Sequence, residues 1–366
     1  MCWKKKLLSA VTAAMFCVSL TVNVPTVQAS GSGLIGSVAG TLLKGAAMRS
    51  EVRKIVKEVN NTPQGQAAIY QKLSEKYGVD ESPENKELLD KIMSTLTKGV
   101  AAVDPTINNM PYKYFVAAQD DLNAACAMAH VMMVNRGTFK ALPNEDEIAA
   151  IVGHEMGHGQ KNHGVKSLEK QVNNQITSGL LGAALGGGML SSKIADIAVT
   201  HTSAHKDKKF ESEADSLSMD YLVNTPYNIG ATAAVMQRFV EMSIGKESSK
   251  LTAFFRPSDH PDSARRRDAC AKKLFEYSGK HAQAKDGVVT VNKKTFMKPV
   301  AAENMSGAER SYFVLGNLAR AYHDGQNKNE ATVKNGSVML GNQIIVTPAD
   351  GDEDAQVLAD RLNEIK

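Results

Sequence analysis

Apolar residues recur at helical spacing through residues 50–100, with Leu88, Leu89, Ile92, Leu96 and Val100 on one stripe. The polar stretch 80–84 interrupts the pattern, so two helices are expected there. Residues 112–118 and 127–134 then read as strands, the second running into the turn residues Asn135, Arg136 and Gly137. Asn144 precedes the next helical pattern with Glu147 three positions on. This capping-box spacing predicts a helix over 145–163. The stretch 176–190 is apolar but contains Gly186, Gly187 and Gly188. It is shorter than the roughly 20 residues a membrane-spanning helix needs and poor in helix formers, so it reads as a mobile connection beside the active site, with a membrane-touching loop as the alternative. A further helix is expected from Lys208 to Leu222. Beyond Asp286 the runs 288–291 and 332–333 look like strands, each followed by a helical pattern, at 309–322 and 354–365. Their offset of about 40 residues suggests a duplicated ββα unit.

The first thirty residues stand apart from this pattern. Lys4, Lys5 and Lys6 precede an apolar run to Val22, and Val27 and Ala29 flank Gln28 where a signal peptidase reads small residues. A signal peptide over 1–29, cleaved after Ala29, is expected. Cys17 follows Ala14, Met15 and Phe16, a poor lipobox that argues against a lipid anchor. Loss of three lysines lowers the formal charge from +4 to +1, too little for a nucleic-acid footprint. Cys126 and Cys270 remain, which is either a single bridge or two buried thiols, and no disulfide framework. The length left exceeds what one small core needs, so one main domain with appendages is expected.

The chemical signal lies in the helix over 145–163. His154, Glu155, Met156, Gly157 and His158 form an HExxH sequence. Residues four apart share a helical face, so both imidazoles can reach one ion while Glu155 projects beside them. A catalytic zinc needs a third protein ligand and one open position. Glu211 and Asp215, on one face of the next predicted helix, offer a ligand and a carboxylate to accept a zinc histidine's free ring N–H. Glu213 points away from that face and reads as solvated. His163 lies off the ligand face and reads as structural. His201 and His205 form another i, i+4 pair without an acidic partner, and Met128, Met132 and Met133 read as packing residues.

The segment 123–158, with Arg136, Gly137, Asn144, Glu145, Asp146, Glu147 and the HExxH sequence, resembles peptidase family M48, which includes heat-shock, CAAX prenyl-protein and soluble periplasmic proteases. Glu211, Ser212, Glu213, Ala214 and Asp215 match its ExxAD element, and Ser258, Asp259, His260, Pro261 and Arg266 resemble a following His-Pro plus arginine motif. The likeness spans about residues 85–285. It implies Glu155 as general base, His154, His158 and Glu211 as ligands of one catalytic Zn²⁺, and Asp215 behind a ligand. It places His260 as a plug on the metal or, with Arg266, as an oxyanion contact. Ala127, Met128, Ala129, His130, Val131 and Met132 are expected as the edge strand that pairs with substrate, although many members carry Pro-Gly-Gly where this chain has Ala127, Met128 and Ala129.

The expected fold class is therefore α+β: a mainly helical gluzincin-type core with a small β-sheet edge over the active-site helix, and a small C-terminal α/β module. The boundaries expected are an N-terminal helical segment 30–84, a peptidase domain 85–285 and the module 286–366. The resemblance implies an exported periplasmic or cell-envelope enzyme of protein quality control. Its partners would be extended or unfolded polypeptides and outer-membrane assembly proteins, with no nucleic acid. The competing reading is a zinc-stabilised periplasmic chaperone, for which Glu155 would have no use.

Overall fold

The computed structural model describes residues 33–142, 144–177, 207–244 and 262–366. The chain forms two compact units, Met1–Ala46 and Ala47–Lys366. Helix α1 (Gly33–Asn60) begins in the first, and the account below concerns the second.

Three helices, not two, occupy the N-terminal pattern: α1, α2 (Pro63–Tyr77) and α3 (Pro83–Val103). The unexpected break follows from Thr62 and Pro63. Thr62 accepts the Gly65 N–H at 3.1 Å as an N-cap, and Pro63 takes the first helical position, where a missing N–H costs nothing. Helix α3 starts in the same way at Ser82 and Pro83, and buries Leu89, Ile92, Met93, Leu96 and Val100.

The sheet of strands β1 (Lys113–Ala117), β2 (Ala124–Ala127) and β3 (Val131–Asn135) has the order β1-β3-β2, with β1 parallel and β2 antiparallel to β3. The single strand expected over 127–134 is thus a hairpin. Ala127 ends β2, a 3-10 turn spans Met128–His130, and Val131 and Met132 lie in the central strand. The reversal uses left-handed backbone at Ala129 (φ 59°) and His130 (φ 54°). No glycine or asparagine announces it. Distant groups impose it: Asn60 Oδ1 accepts the Ala129 N–H at 2.8 Å, Gln66 Nε2 donates to the Ala129 carbonyl at 2.9 Å, and the His130 ring stacks on Tyr112. Both sheet faces are covered. Val116, Ala124, Cys126, Met132 and Val134 join the main core with α3, while Phe115, Ala125, Val131 and Met133 join a second core with α1 and α2. That double burial is why the strands read as continuous apolar runs.

A short helix α4 (Arg136–Ala141) leads to α5 (Glu145–Gln160), buried on every side from Glu147 to Gln160. Asn144 caps it by accepting the Asp146 N–H at 2.8 Å, but the expected box is not closed, because Glu147 is held by Arg238. Helix α5 ends three residues early. Lys161 and Asn162 (φ 52°) turn the chain, and His163 opens α6 (His163–Thr177). Around α5 pack α3, β2, α7 (Lys208–Leu222) and α8 (Ala231–Ile244), and α9 (Ser263–Tyr277) packs on α7 and α8. Cys126 and Cys270 are both free and buried, which settles the cysteine alternatives in favour of two thiols.

The C-terminal segment repeats one order of elements, with three strands per unit and a longer offset than expected. Strands β4 (Ala282–Lys285), β5 (Val288–Val291), β6 (Lys294–Met297) and helix α10 (Gly307–His323) recur as β7 (Ala331–Lys334), β8 (Ser337–Leu340), β9 (Gln343–Val346) and α11 (Ala355–Ile365). Each strand recurs 49 residues on. Both first turns use positive φ, at Asp286 and Gly287 and at Asn335 and Gly336, the residues a tight hairpin favours. Each unit also carries an irregularity at the same strand position, Val289/Thr290 and Val338/Met339. Helix α10 packs on β4, β5 and β9, and α11 on β6, β7 and β8, so neither unit is complete without the other. Among the described residues, no helix is long and apolar enough to cross a membrane.

Candidate metal centre

Helices α5 and α7 approach closely because α5 carries glycine where they meet. A Cβ on Gly157 would lie 3.1 Å from the Cα of Ala214, and one on Gly153 would lie 3.0 Å from Ser218 Oγ. Ser218 Oγ also donates to the Ala150 carbonyl at 2.7 Å. This contact brings Glu211, in the first turn of α7, over His154 and His158 of α5.

The ligand-type atoms of these three buried residues all lie within 4.8 Å of one another. Nε2 of His154 is 3.0 Å from Nε2 of His158, Glu211 Oε2 is 3.6 Å from the first, and Glu211 Oε1 is 3.3 Å from the second. Tetrahedral zinc with bonds of about 2.0–2.2 Å separates its ligand atoms by roughly 3.3–3.5 Å. The donor set and its spacing therefore fit zinc, with two imidazoles, one carboxylate and a position left for water or substrate.

Charge behind the ligands is arranged just as tightly. Asp215 Oδ1 lies 2.9 Å from His154 Nδ1. Arg266, from α9, grips Asp215 with Nε and Nη2 at 2.7 and 2.6 Å, and its Nη1 lies 3.1 Å from Glu211 Oε2. Burial alone would raise the Asp215 carboxyl, but the Arg266 charge and hydrogen bonds, with those of His154, hold it far below the usual carboxylate range. Glu155 is different. Burial pushes its carboxyl up to about 7 against the opposing charge of His154, and its Oε2 accepts the backbone N–H of Cys126 at 2.9 Å. Strand β2, an edge strand of the sheet, thus passes within one hydrogen bond of Glu155.

A second connection backs His158. Its Nδ1 is 2.9 Å from Nδ1 of His163, whose Nε2 is 3.2 Å from Glu213 Oε2. The His163 ring is fully buried and stacks on Phe210 with centroids 4.2 Å apart.

The sequence model of peptidase family M48 matches residues 84–273, just over half of the chain. The chain belongs to peptidase family M48. Among its M48-type relatives, metalloprotease LoiP of Escherichia coli strain K12 is 25% identical over 187 residues, which is 50% of this chain and 70% of that protein. Metalloprotease YcaL of the same strain is 26% identical over 173 residues, 47% of this chain. The chain spans 65% of YcaL's own length. As an M48 member the chain is a peptide hydrolase of the α+β class.

Of the residues singled out in the sequence, His154, Glu155, His158, Glu211, Asp215 and Arg266 converge in this M48 peptidase. Arg266 has its guanidinium engaged by Asp215 and Glu211. Of the expected edge strand, Ala127 belongs to edge strand β2, Met128, Ala129 and His130 form the turn, and Val131 and Met132 pair on both sides within β3. A central strand has no free backbone to offer a peptide. His260, with Ser258, Asp259 and Pro261, lies outside the described residues, as do His201, His205 and the glycine-rich run. His163 and Glu213 make contacts that the sequence did not announce. The early end of α5 and the start of α6 carry His163 back against His158, which a continuous helix to residue 163 would not do.

Proposed function

We propose that this chain is a zinc-dependent endopeptidase exported to the cell envelope, where it cleaves extended or unfolded polypeptides, including unfolded or misassembled envelope proteins. The observation that carries the proposal is the convergence of His154, His158 and Glu211 with Glu155 beside the ligand cluster and edge strand β2 within one hydrogen bond of it. When bound, zinc supplies a Lewis acid for the scissile carbonyl and lowers the pKa of a water molecule. Glu155 takes a proton from the attacking water and delivers it to the leaving amine. An extended peptide adds to β2 by backbone pairing, which reads conformation more than sequence and suits unfolded segments. A zinc site that served only stability would have no use for Glu155.

The test is Glu155→Gln. All three ligands survive, so zinc content and fold are expected to match the parent while casein hydrolysis is lost. Undiminished hydrolysis would remove Glu155 from the reaction. Export is tested separately. Trp3 is the chain's single tryptophan, so protein recovered from the cell envelope is expected to show no tryptophan emission, and its presence would mean that the leader is retained.

A further inference from the structure

Two carboxylates of α7 stand behind the two histidines of the centre, one directly and one through an interposed ring. His154 Nδ1 faces Asp215 Oδ1 at 2.9 Å. His158 Nδ1 faces His163 Nδ1 at 2.9 Å, and His163 Nε2 faces Glu213 Oε2 at 3.2 Å. The proton positions follow from the chemistry. Nε2 of His158 is the atom turned towards His154 and Glu211, so a metal there needs the lone pair on Nε2 and leaves the proton on Nδ1. Nδ1 of His158 then donates, and Nδ1 of His163 must accept. A neutral His163 that accepts at Nδ1 carries its own proton on Nε2, where Glu213 receives it.

We infer that His163 is a positioning residue for the metal centre, which fixes the ring and tautomer of His158 and is itself oriented by Glu213. The inference rests on the proposed zinc reading. It adds a second support, built from α6 and the outer side of α7, to the one that Asp215 and Arg266 supply. Partners of this kind raise the basicity of a ligand imidazole, and their loss typically lowers metal affinity about 10–100-fold. The two supports differ in exposure. The Asp215 side chain is 9% exposed and that of Glu213 is 39% exposed, so water can substitute for Glu213 more readily than for Asp215.

The experiment measures zinc affinity by competition with a chromophoric chelator, beside urea unfolding of the metal-free protein. His163→Phe keeps a ring to stack on Phe210 but cannot accept a hydrogen bond. It is expected to lower zinc affinity about 10–100-fold with little change in metal-free stability. His163→Asn places a carbonyl oxygen where Nδ1 stood and is expected to restore most of the affinity. Glu213→Leu should weaken binding by a smaller factor than His163→Phe, and Glu213→Gln, which still accepts, should stay near the parent. Unchanged zinc affinity in His163→Phe would overturn the inference. So would a loss in metal-free stability as large as the loss in binding, since that is what a merely structural ring would give. His154→Ala separates the two readings: if the parent binds zinc no better than His154→Ala, the zinc reading itself falls, whatever the His163 variants do.

Discussion

Arg266 is held in place by charge, and its removal tests how far the centre depends on a residue that is not itself a ligand. Asp215 is buried between His154 and the guanidinium, and breaking a buried pair from one side typically costs about 3–5 kcal/mol. Arg266→Leu is therefore expected to destabilise the metal-free protein by roughly that amount, read by urea unfolding. A loss within experimental error would show that the carboxylate is solvated and not buried. Glu211→Ala acts differently. It deletes a ligand, so zinc occupancy by elemental analysis should fall, and full occupancy would mean that another group supplies the third ligand. His154, Glu155 and His158 were legible in the sequence because a helix forces residues four apart onto one face. Glu211 and Asp215 were legible for the same reason on the next helix. Arg266, 51 residues beyond Asp215, was placed near the centre by resemblance, but its partners required the fold. His163 was hidden, because its role depends on where α5 stops.

Helix α5 meets α7 at Gly157, and that contact sets the reach of Glu211 towards the histidines. A Cβ at Gly157 would stand 3.1 Å from Ala214 Cα, 3.2 Å from the Ala214 carbonyl oxygen and 3.3 Å from Leu217 Cβ, two of them backbone atoms with little freedom to move. Gly157→Val is thus expected to wedge the helices apart, at about 1–3 kcal/mol for overpacking, and to weaken zinc binding although no ligand changes. Parent-like affinity and stability together would show that the helices are not in contact there. The elements themselves were unevenly readable. Helix α3 and the start of α5 carried caps and a periodic stripe and stood where the pattern put them. The β2–β3 hairpin did not show, since Ala127 to Val134 is almost uniformly apolar and its turn is stabilised by Asn60 and Gln66 from far upstream. The end of α5 was invisible too: His163 continues the polar pattern, and only the left-handed Asn162 marks the stop. In the C-terminal segment the recurrence of strand and helix patterns was visible and its period was not, because the turns at Asp286–Gly287 and Asn335–Gly336 are clearer signals than the short strands between them.

At the scale of the whole molecule, the C-terminal segment is fastened to the two helices that carry the metal ligands. One hydrophobic core runs from Leu89 and Ile151 through Tyr312 and Leu318 to Leu358. Arg320 of α10 donates to the carbonyl of Leu222, the last residue of α7, and to that of Tyr227 beyond it. The tightest link is ionic. Arg238 of α8 binds Glu147, in the first turn of α5, with two hydrogen bonds of 2.9 and 3.0 Å, and its Nε lies 3.4 Å from Glu309 of α10. Two buried carboxylates thus share one guanidinium. Burial pushes Glu309 up to about 7, against the pull of Arg238 and with Glu147 and Glu241 adding to the rise. In the unfolded chain the same group titrates near its ordinary value of 4.5. Between those values the folded protein holds the extra proton, so the free energy of unfolding should fall as pH rises from about 4.5 to 7 and level off above it. A difference of that size corresponds to on the order of 3 kcal/mol. Glu309→Gln keeps an oxygen to accept the Ser306 N–H, the bond Glu309 makes in the parent at 2.6 Å, and carries no charge to desolvate. With zinc removed from both proteins, the variant is expected to be more stable than the parent at pH 8 and to match it near pH 4.5, in urea unfolding. A variant less stable than the parent at pH 8 would show that pairing with Arg238 outweighs the cost of burying the ionised Glu309, and that the link between the C-terminal segment and α5 is a salt bridge of all three side chains.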